Sequence, residues 1–350
     1  MARPSGRFWD HGGEMSLPPA PRFDDDDEYE RSLQDADFWA PYAKAALRLS
    51  GLSDQGEVRT HFPTTHVAVL VGERYLVKLH YEDWFGEDCF QDEREAYRHL
   101  GGHGHLPVPE LLAEGALYDE GWRWPFLAMT AMPGRSLRDL GEAPTPDDLE
   151  RMAAWLGRTV RALHEVPIRD GERLSLELYV DLIQTRMQRC HRDHELWGSL
   201  PERLTAQVRD YVWRSRDLID PEREPAVLLH GDLHAGNVFL EGRPGGLEPT
   251  GIVDFNDAYE GDRHYDLVAI HVKTFGGDKR LLRAFLDGYG WGDLGRSWPR
   301  RMLALTLAHD HDMGEPIMAR SQLARQVATL DDLAMLVWDL DAPDLDGEPT

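Results

Sequence analysis

Asp232 and Asn237 stand as D-x-x-x-x-N in the stretch HGDLHAGNVFL. That spacing serves a carboxylate that takes a proton and an amide that holds a metal ion during phosphoryl transfer. Val238-Phe239-Leu240 then reads as a short strand. Gly242, Pro244, Gly245 and Gly246 turn the chain, and Gly251-Ile252-Val253 returns as a second strand ending in Asp254. A hairpin of this kind brings Asn237 and Asp254 together at one end, where an amide oxygen and a carboxylate suit the hard cation Mg²⁺. Asp232 beside them is placed to accept the proton of a hydroxyl that attacks a nucleotide γ-phosphate. His230 is expected to brace the loop by hydrogen bonding, and Gly231 to allow a tight backbone before Asp232. His234 is open to two readings, orienting a phosphate or merely filling the loop.

Other elements must carry and surround this hairpin. Val67–Val71, a Gly72-Glu73 turn and Tyr75–Leu79 read as an earlier hairpin. Lys78 is a charge inside that apolar strand, and alternation sets it on the face opposite Val77 and Leu79. A helix is predicted over about residues 89–100, with Phe90, Tyr97 and Leu100 inward and Gly101-Gly102 as its stop. Residues 28–49 carry partial helical periodicity, and Trp124–Met129 reads as a strand. Thr145-Pro146-Asp147-Asp148 is a strong helix start, followed by apolar residues at helical spacing as far as Leu163. Further helical stretches fall within residues 174–219, 281–289, 299–309 and 323–338. Asp262 and Asp266 are expected to tie the next helix to the Asp232 loop. Cys190-His191-Arg-Asp-His194 lacks a second half at zinc-ligand spacing and is not taken as a metal site.

HGDLHAGN, followed by IVDF and GDRHYDL, resembles the aminoglycoside phosphotransferase and choline kinase family, relatives of the protein kinases. DDDDEYERSLQDADFWAP, LHYEDWFGEDCFQDEREAY, TGIVDFNDAYEGDRHYDLVAIH and LALTLAHD are similar to its hygromycin-B 7″-O-kinase branch. The resemblance spans residues 24–340. It implies an α+β, protein-kinase-like, two-lobed fold: a nucleotide-binding N-lobe over 28–131, β-rich with one key helix, and a larger, mostly helical C-lobe over 132–340. Residues 1–27 read as a disordered or draped extension and 341–350 as an acidic tail. By the same resemblance, Lys78 binds the nucleotide phosphates and Glu95 holds that lysine, with Glu93 as the rival if the helix is rotated. The Thr130 carbonyl and Met132 amide match the family's adenine contacts. No glycine lies between Gly56 and Gly72, so Thr64 and Thr65 would replace a glycine-rich phosphate loop.

The implied activity is Mg²⁺- and ATP-dependent phosphorylation of a cationic small molecule, with hygromycin B as the first acceptor and GTP left open as donor. Asp257, Glu260, Asp310, Asp312 and Glu315 are the acids expected to meet an acceptor's ammonium groups. A kinase of another small hydroxylated metabolite keeps the same centre with a different acceptor wall. A non-catalytic binding module would have no need of Lys78, Glu95, Asp232, Asn237 and Asp254 together.

Composition fits this reading. In 350 residues, 63 acidic side chains against 38 basic ones give a net charge of −25. Such a field opposes nucleic acid and anionic membrane, and attracts polycations. It also opposes the nucleotide, which therefore needs a local lysine and Mg²⁺. Two distant cysteines, Cys89 and Cys190, suit a reducing cytoplasm and not a disulfide framework. No run of about 18 apolar residues appears. A monomer is expected, with a homodimer left open.

Overall fold

The computed structural model describes residues 17–60, 65–167 and 173–342. The chain forms two compact units. One holds the described residues up to Trp84 with Ala113–Ala128; the other holds Phe85–Leu112 with the chain from Met129 onward.

The first unit starts with α1 (Asp26–Ser32) and α2 (Ala36–Leu49). The single helical stretch expected over 28–49 is two helices. Asp35 breaks it, because its carboxylate accepts from the Phe38 amide and starts a new helix. A five-stranded sheet follows, in the order β1 (Val58–Thr60), β2 (Val67–Val71), β3 (Tyr75–Leu79), β5 (Pro125–Thr130), β4 (Leu111–Ala116). The chain crosses between units within β4 and β5. β2 and β3 pair antiparallel with Ala68 opposite Lys78 and Val69 opposite Val77. Val67, Val69, Val77 and Leu79 enter one apolar core with Tyr29, Trp39, Trp124 and Phe126. Period-two alternation therefore sets the buried Lys78 on the sheet's other face. Residues ahead of α1 also drape over this core. Phe23 packs edge-on to Tyr29, and the Tyr42 and Tyr118 hydroxyls donate to the carbonyls of Pro19 and Pro18.

The second unit contains α3 (Gly86–Leu100), β6 (Arg135–Ser136), α4 (Pro146–His164), α5 (Leu176–Trp197), α6 (Glu202–Thr205) and α7 (Val208–Ser215). Then come β7 (Val227–Leu228), β8 (Val238–Arg243), β9 (Gly246–Ile252) and β10 (Glu260–Gly261). The chain closes with α8 (His264–Ala269), α9 (Lys279–Tyr289), α10 (Trp298–Leu307), α11 (Gly314–Arg320), α12 (Gln322–Gln326) and α13 (Leu330–Trp338). α4 has a full capping box: the Thr145 hydroxyl accepts from the Asp148 amide, and the Asp148 carboxylate accepts from the Thr145 amide. β8 and β9 form the hairpin expected around Gly245, flanked by β6 in the order β6-β8-β9. Its strands run further toward the turn than the apolar residues alone suggest. Gly251 lets Met132 and the Pro107 carbonyl close on the hairpin; a Cβ there would lie 2.0 Å from the Met132 methyl. No helix among the described residues is long and apolar enough to cross a membrane.

Candidate active site

The loop from Leu229 to Asn237 is shaped from beneath by α8. Asp266, fully buried on that helix, accepts from the amides of His230 at 3.0 Å and Gly231 at 2.8 Å. His164 of α4 lies 3.0 Å from the same carboxylate. His230 Nε2 donates to the Val253 carbonyl at 3.0 Å, tying the loop to the end of β9. Gly231 sits at φ +87°, and a Cβ there would fall 1.8 Å from the Asp257 carbonyl oxygen, so the position admits only glycine. Asp262 belongs to a different buried network. It accepts from Arg301 Nη2 at 2.7 Å and lies 2.6 Å from His264 Nδ1. Burial alone would raise its pKa, but His264 and Arg301 outweigh it and hold the carboxyl down at about 2.

Held this way, Asp232 lies beside Lys273, whose Nζ donates to Oδ1 at 3.1 Å. The other oxygen, Oδ2, faces His234 Nε2 at 3.8 Å and His311 Nε2 at 3.7 Å. Burial pushes the Asp232 pKa up; Lys273 first, then the histidines, overcome that and bring it to about 2. Burial lowers the pKa of both His234 and His311, which favours neutral rings. His234 Nδ1 accepts from the Gly236 amide at 2.9 Å, so its Nε2 carries the proton.

Asn237 donates Nδ2 to the Asp232 carbonyl at 3.0 Å, which turns its Oδ1 the other way as an acceptor. The hairpin ladder pairs Val238 with Ile252 and continues through the Val253 amide to the Asn237 carbonyl at 3.0 Å. Asn237 and Asp254 therefore emerge at one end of the hairpin. Asp254 adopts φ +73°, a left-handed conformation that a non-glycine residue takes at a cost of about 1–2 kcal/mol. Its amide donates to the Tyr97 hydroxyl at 3.2 Å. One amide oxygen and one carboxylate on a rigid hairpin end are a donor set suited to Mg²⁺. Asp232, Asp257 and His311 also bring one ligand atom each to within 4.8 Å of one another.

Asp257 is the most perturbed acid of the group. Burial foremost, then Asp232, Asp254 and Asp310, raise its pKa to about 7. A folded-state pKa above the unfolded value means that its contribution to stability is full below about pH 4 and is lost as pH rises through about 7. Asp257→Asn should therefore stabilise the ligand-free protein at pH 8 by on the order of 2 kcal/mol and at pH 5 by only about a third as much. Urea unfolding at the two pH values measures this; an equal effect at both would contradict it.

A cleft of about 650 Å³ opens nearby, lined by Asp88, Asp92, Asp181, Asp310, Tyr259, Arg173, Arg186, Arg189 and apolar residues of α5. Arg173 joins Asp88 at 2.9 Å and Asp92 at 3.0 Å, and Arg186 joins Asp193 at 2.9 Å. Of the acids expected to meet an acceptor, Asp310 lines this cleft. Asp257 lies beside Asp232, as above, and Glu260 is buried in β10, paired in register with Leu228. Asp312 accepts from the Gly314 and Glu315 amides and from the Ser199 hydroxyl. Glu315 borders a separate cavity of about 440 Å³.

Thr130 donates its amide to the Glu110 carbonyl at 3.0 Å and accepts the Glu110 amide on its hydroxyl at 2.8 Å. Met132 is half-buried against Gly251. Thr65 is exposed, its carbonyl accepting from the Tyr29 hydroxyl at 3.1 Å, and Thr64 lies outside the described residues. In α3 the buried face runs through Phe90, Glu93, Ala96, Tyr97 and Leu100. Glu93 is on it and wholly buried, while Glu95 is off it and accepts from the Arg173 amide at 3.4 Å. No motif or spacing in the sequence marks Asp88, Asp92, Asp181, Lys273 or His311. Lys273 sits in HVKTF, which reads as an ordinary helix interior.

A lysine-specific demethylase of Arabidopsis thaliana is 25% identical over 202 residues, 48% of this chain but 21% of that protein. An aminoglycoside 3'-phosphotransferase of Streptomyces fradiae is 30% identical over 175 residues, 50% of this chain and 61% of that one. The chain thus spans less than two thirds of either relative. Among solved structures, the GDP complex of aminoglycoside 2'-phosphotransferase-IIIa superposes with a TM-score of 0.57 at 20% identity, covering 81% of this chain and 93% of that one. The streptomycin–ATP ternary complex of APH(2")-IIa gives 0.51 at 18%, covering 75% and 88%. The fold is the α+β, protein-kinase-like fold of these enzymes. The model of the phosphotransferase enzyme family matches residues 60–303, and the chain belongs to that family.

Proposed function

We propose that the chain is an ATP-dependent O-phosphotransferase acting on a hydroxyl of a cationic aminoglycoside, with the 7″-hydroxyl of hygromycin B as the first candidate. The observation that carries the reading is the carboxylate of Asp232. It is held ionised, with one oxygen turned away from its lysine partner, next to a hairpin end bearing an amide oxygen and a second carboxylate. Asp232, Asp254 and Asp310 act together on the buried Asp257 and help to raise its pKa, so the cluster favours cations, both metal and ammonium. The hygromycin assignment rests on the sequence segments shared with that branch.

When bound, Mg²⁺ held by Asn237 and Asp254 would neutralise charge on the β- and γ-phosphates. Lys78, Thr65 and the Thr130–Met132 backbone are assigned to the nucleotide. Glu93 replaces Glu95 as the glutamate of α3, because a wholly buried carboxylate must be partnered and the half-buried one is already engaged. Asp232 orients the acceptor hydroxyl. The acceptor oxygen bonds to the γ-phosphorus, the bond from that phosphorus to the β,γ-bridging oxygen breaks to release ADP, and the hydroxyl proton passes to Asp232. Asp310 and the acids of the 650 Å³ cleft receive the acceptor's ammonium groups. The structurally similar complexes hold GDP as well as ATP, so both donors belong in the assay.

Expression in a sensitive cytoplasm is the direct test. Bacteria carrying the chain should grow at hygromycin B concentrations that stop the vector control, and the Asp232→Asn strain should not. Protection against other aminoglycosides but not hygromycin B would keep the class and reject the acceptor. No protection against any would oppose the reading.

A further inference from the structure

Asp232 receives its closest side-chain cation from an unusual piece of backbone. After α8 the helix does not continue as an α-helix; Ile270–Thr274 form a π-helical turn, closed by the Phe275 amide donating to the Ile270 carbonyl at 2.9 Å. The extra residue in such a turn shifts the side chains that follow around the helix, and π-turns gather at functional sites because the geometry is otherwise disfavoured. Here two consecutive side chains are delivered to the Asp232 loop. Lys273 Nζ donates to Asp232 Oδ1 at 3.1 Å, and the Thr274 hydroxyl donates to the Leu233 carbonyl at 2.8 Å. The turn is released by Gly276 and Gly277, both at positive φ. Ahead of it, Asp266 of α8 holds the His230 and Gly231 amides. One helical element thus grips the loop on both sides of Asp232, and one of its grips is a charge on the carboxylate itself.

We propose that Lys273 is a positioning residue for phosphoryl transfer: by binding Oδ1 it fixes the Asp232 carboxylate so that Oδ2 is presented to the acceptor hydroxyl. The inference rests on the phosphotransferase reading above. An aspartate near a surface samples several carboxylate rotations; an ammonium on one oxygen removes most of them. The neighbouring groups do not replace it. His234 and His311 approach the opposite oxygen, at 3.8 and 3.7 Å, beyond hydrogen-bond range. Lysine suits the position because its three donors follow one another around a point charge, so the carboxylate can be held without a fixed second contact.

The experiment compares full-length wild type, Lys273→Met and Lys273→Arg with Mg·ATP and the best acceptor from an aminoglycoside panel. Lys273→Met should lower kcat by roughly 30–100-fold, with KM for ATP within about 3-fold, because positioning acts on the bound state. Lys273→Arg should recover to within about 5-fold of wild type, since it restores a cation on the carboxylate. A kcat for Lys273→Met within 3-fold of wild type overturns the proposal, as does a loss that arginine does not recover in a variant melting at the wild-type temperature. Crystal structures of wild type and Lys273→Met judge the same point without an acceptor. The Lys273–Asp232 contact should appear in the first, and the Asp232 carboxylate should be rotated or disordered in the second. An unchanged carboxylate overturns the proposal. A wild type inactive on every acceptor refutes the phosphotransferase reading instead, and the crystal comparison still decides what Lys273 does to Asp232.

Discussion

Asp232→Asn should lower turnover by roughly 10³-fold while leaving nucleotide affinity within about 3-fold of wild type. The amide keeps the size of the carboxylate and can still accept from Lys273 and offer its backbone carbonyl to Asn237, so the loop should keep its shape. What it lacks is the negative charge that draws the proton from the acceptor hydroxyl. ADP release under saturating acceptor gives the turnover, and titration with a fluorescent nucleotide gives the affinity. Wild-type turnover would remove Asp232 from the proton-accepting position. Equal losses in turnover and nucleotide affinity would make it a binding residue instead.

Asp266→Ala should cost about 3–5 kcal/mol of stability, the largest effect expected of a residue that touches no substrate. Its carboxylate is wholly buried and serves two backbone amides and a histidine. Removing it strands the donors of His230 and Gly231 in the interior, where each unpaired amide costs about 1–3 kcal/mol. The loop bearing Asp232 would lose its support together with the overall fold. Urea unfolding at pH 7 reads the loss directly. A change below about 1 kcal/mol would mean that water or another side chain serves those amides.

The hairpin was legible because its signals are local. Two apolar triplets flank a glycine-rich turn, and Asn237 and Asp254 stand at its ends, so antiparallel pairing alone brings them together. The helix start at Thr145 and the Lys78 strand were legible for the same reason. α3 shows where a fuller reading of the pattern was possible. Phe90, Tyr97 and Leu100 mark the inward face, and Glu93 lies on that face by i, i+3 and i+4 spacing while Glu95 does not. Lys273 and His311 were not legible. Both meet Asp232 across forty or more residues of intervening chain, and Lys273 does so through a π-turn that no sequence period announces. The acceptor acids show the same limit. Asp88, Asp92 and Asp181 line the cleft from α3 and α5, while the sequence drew attention to the acids near the catalytic motifs.

The Asp232 loop and the hairpin end at Asn237 and Asp254 are proposed to transfer a γ-phosphoryl group to a sugar hydroxyl. Phosphorus NMR of a reaction containing wild-type protein, Mg·ATP and hygromycin B tests it most directly. A new phosphomonoester resonance on the antibiotic should grow in step with ADP. ADP accumulating with inorganic phosphate alone, or a spectrum in which ATP persists with hygromycin B and every other aminoglycoside tried, would contradict it.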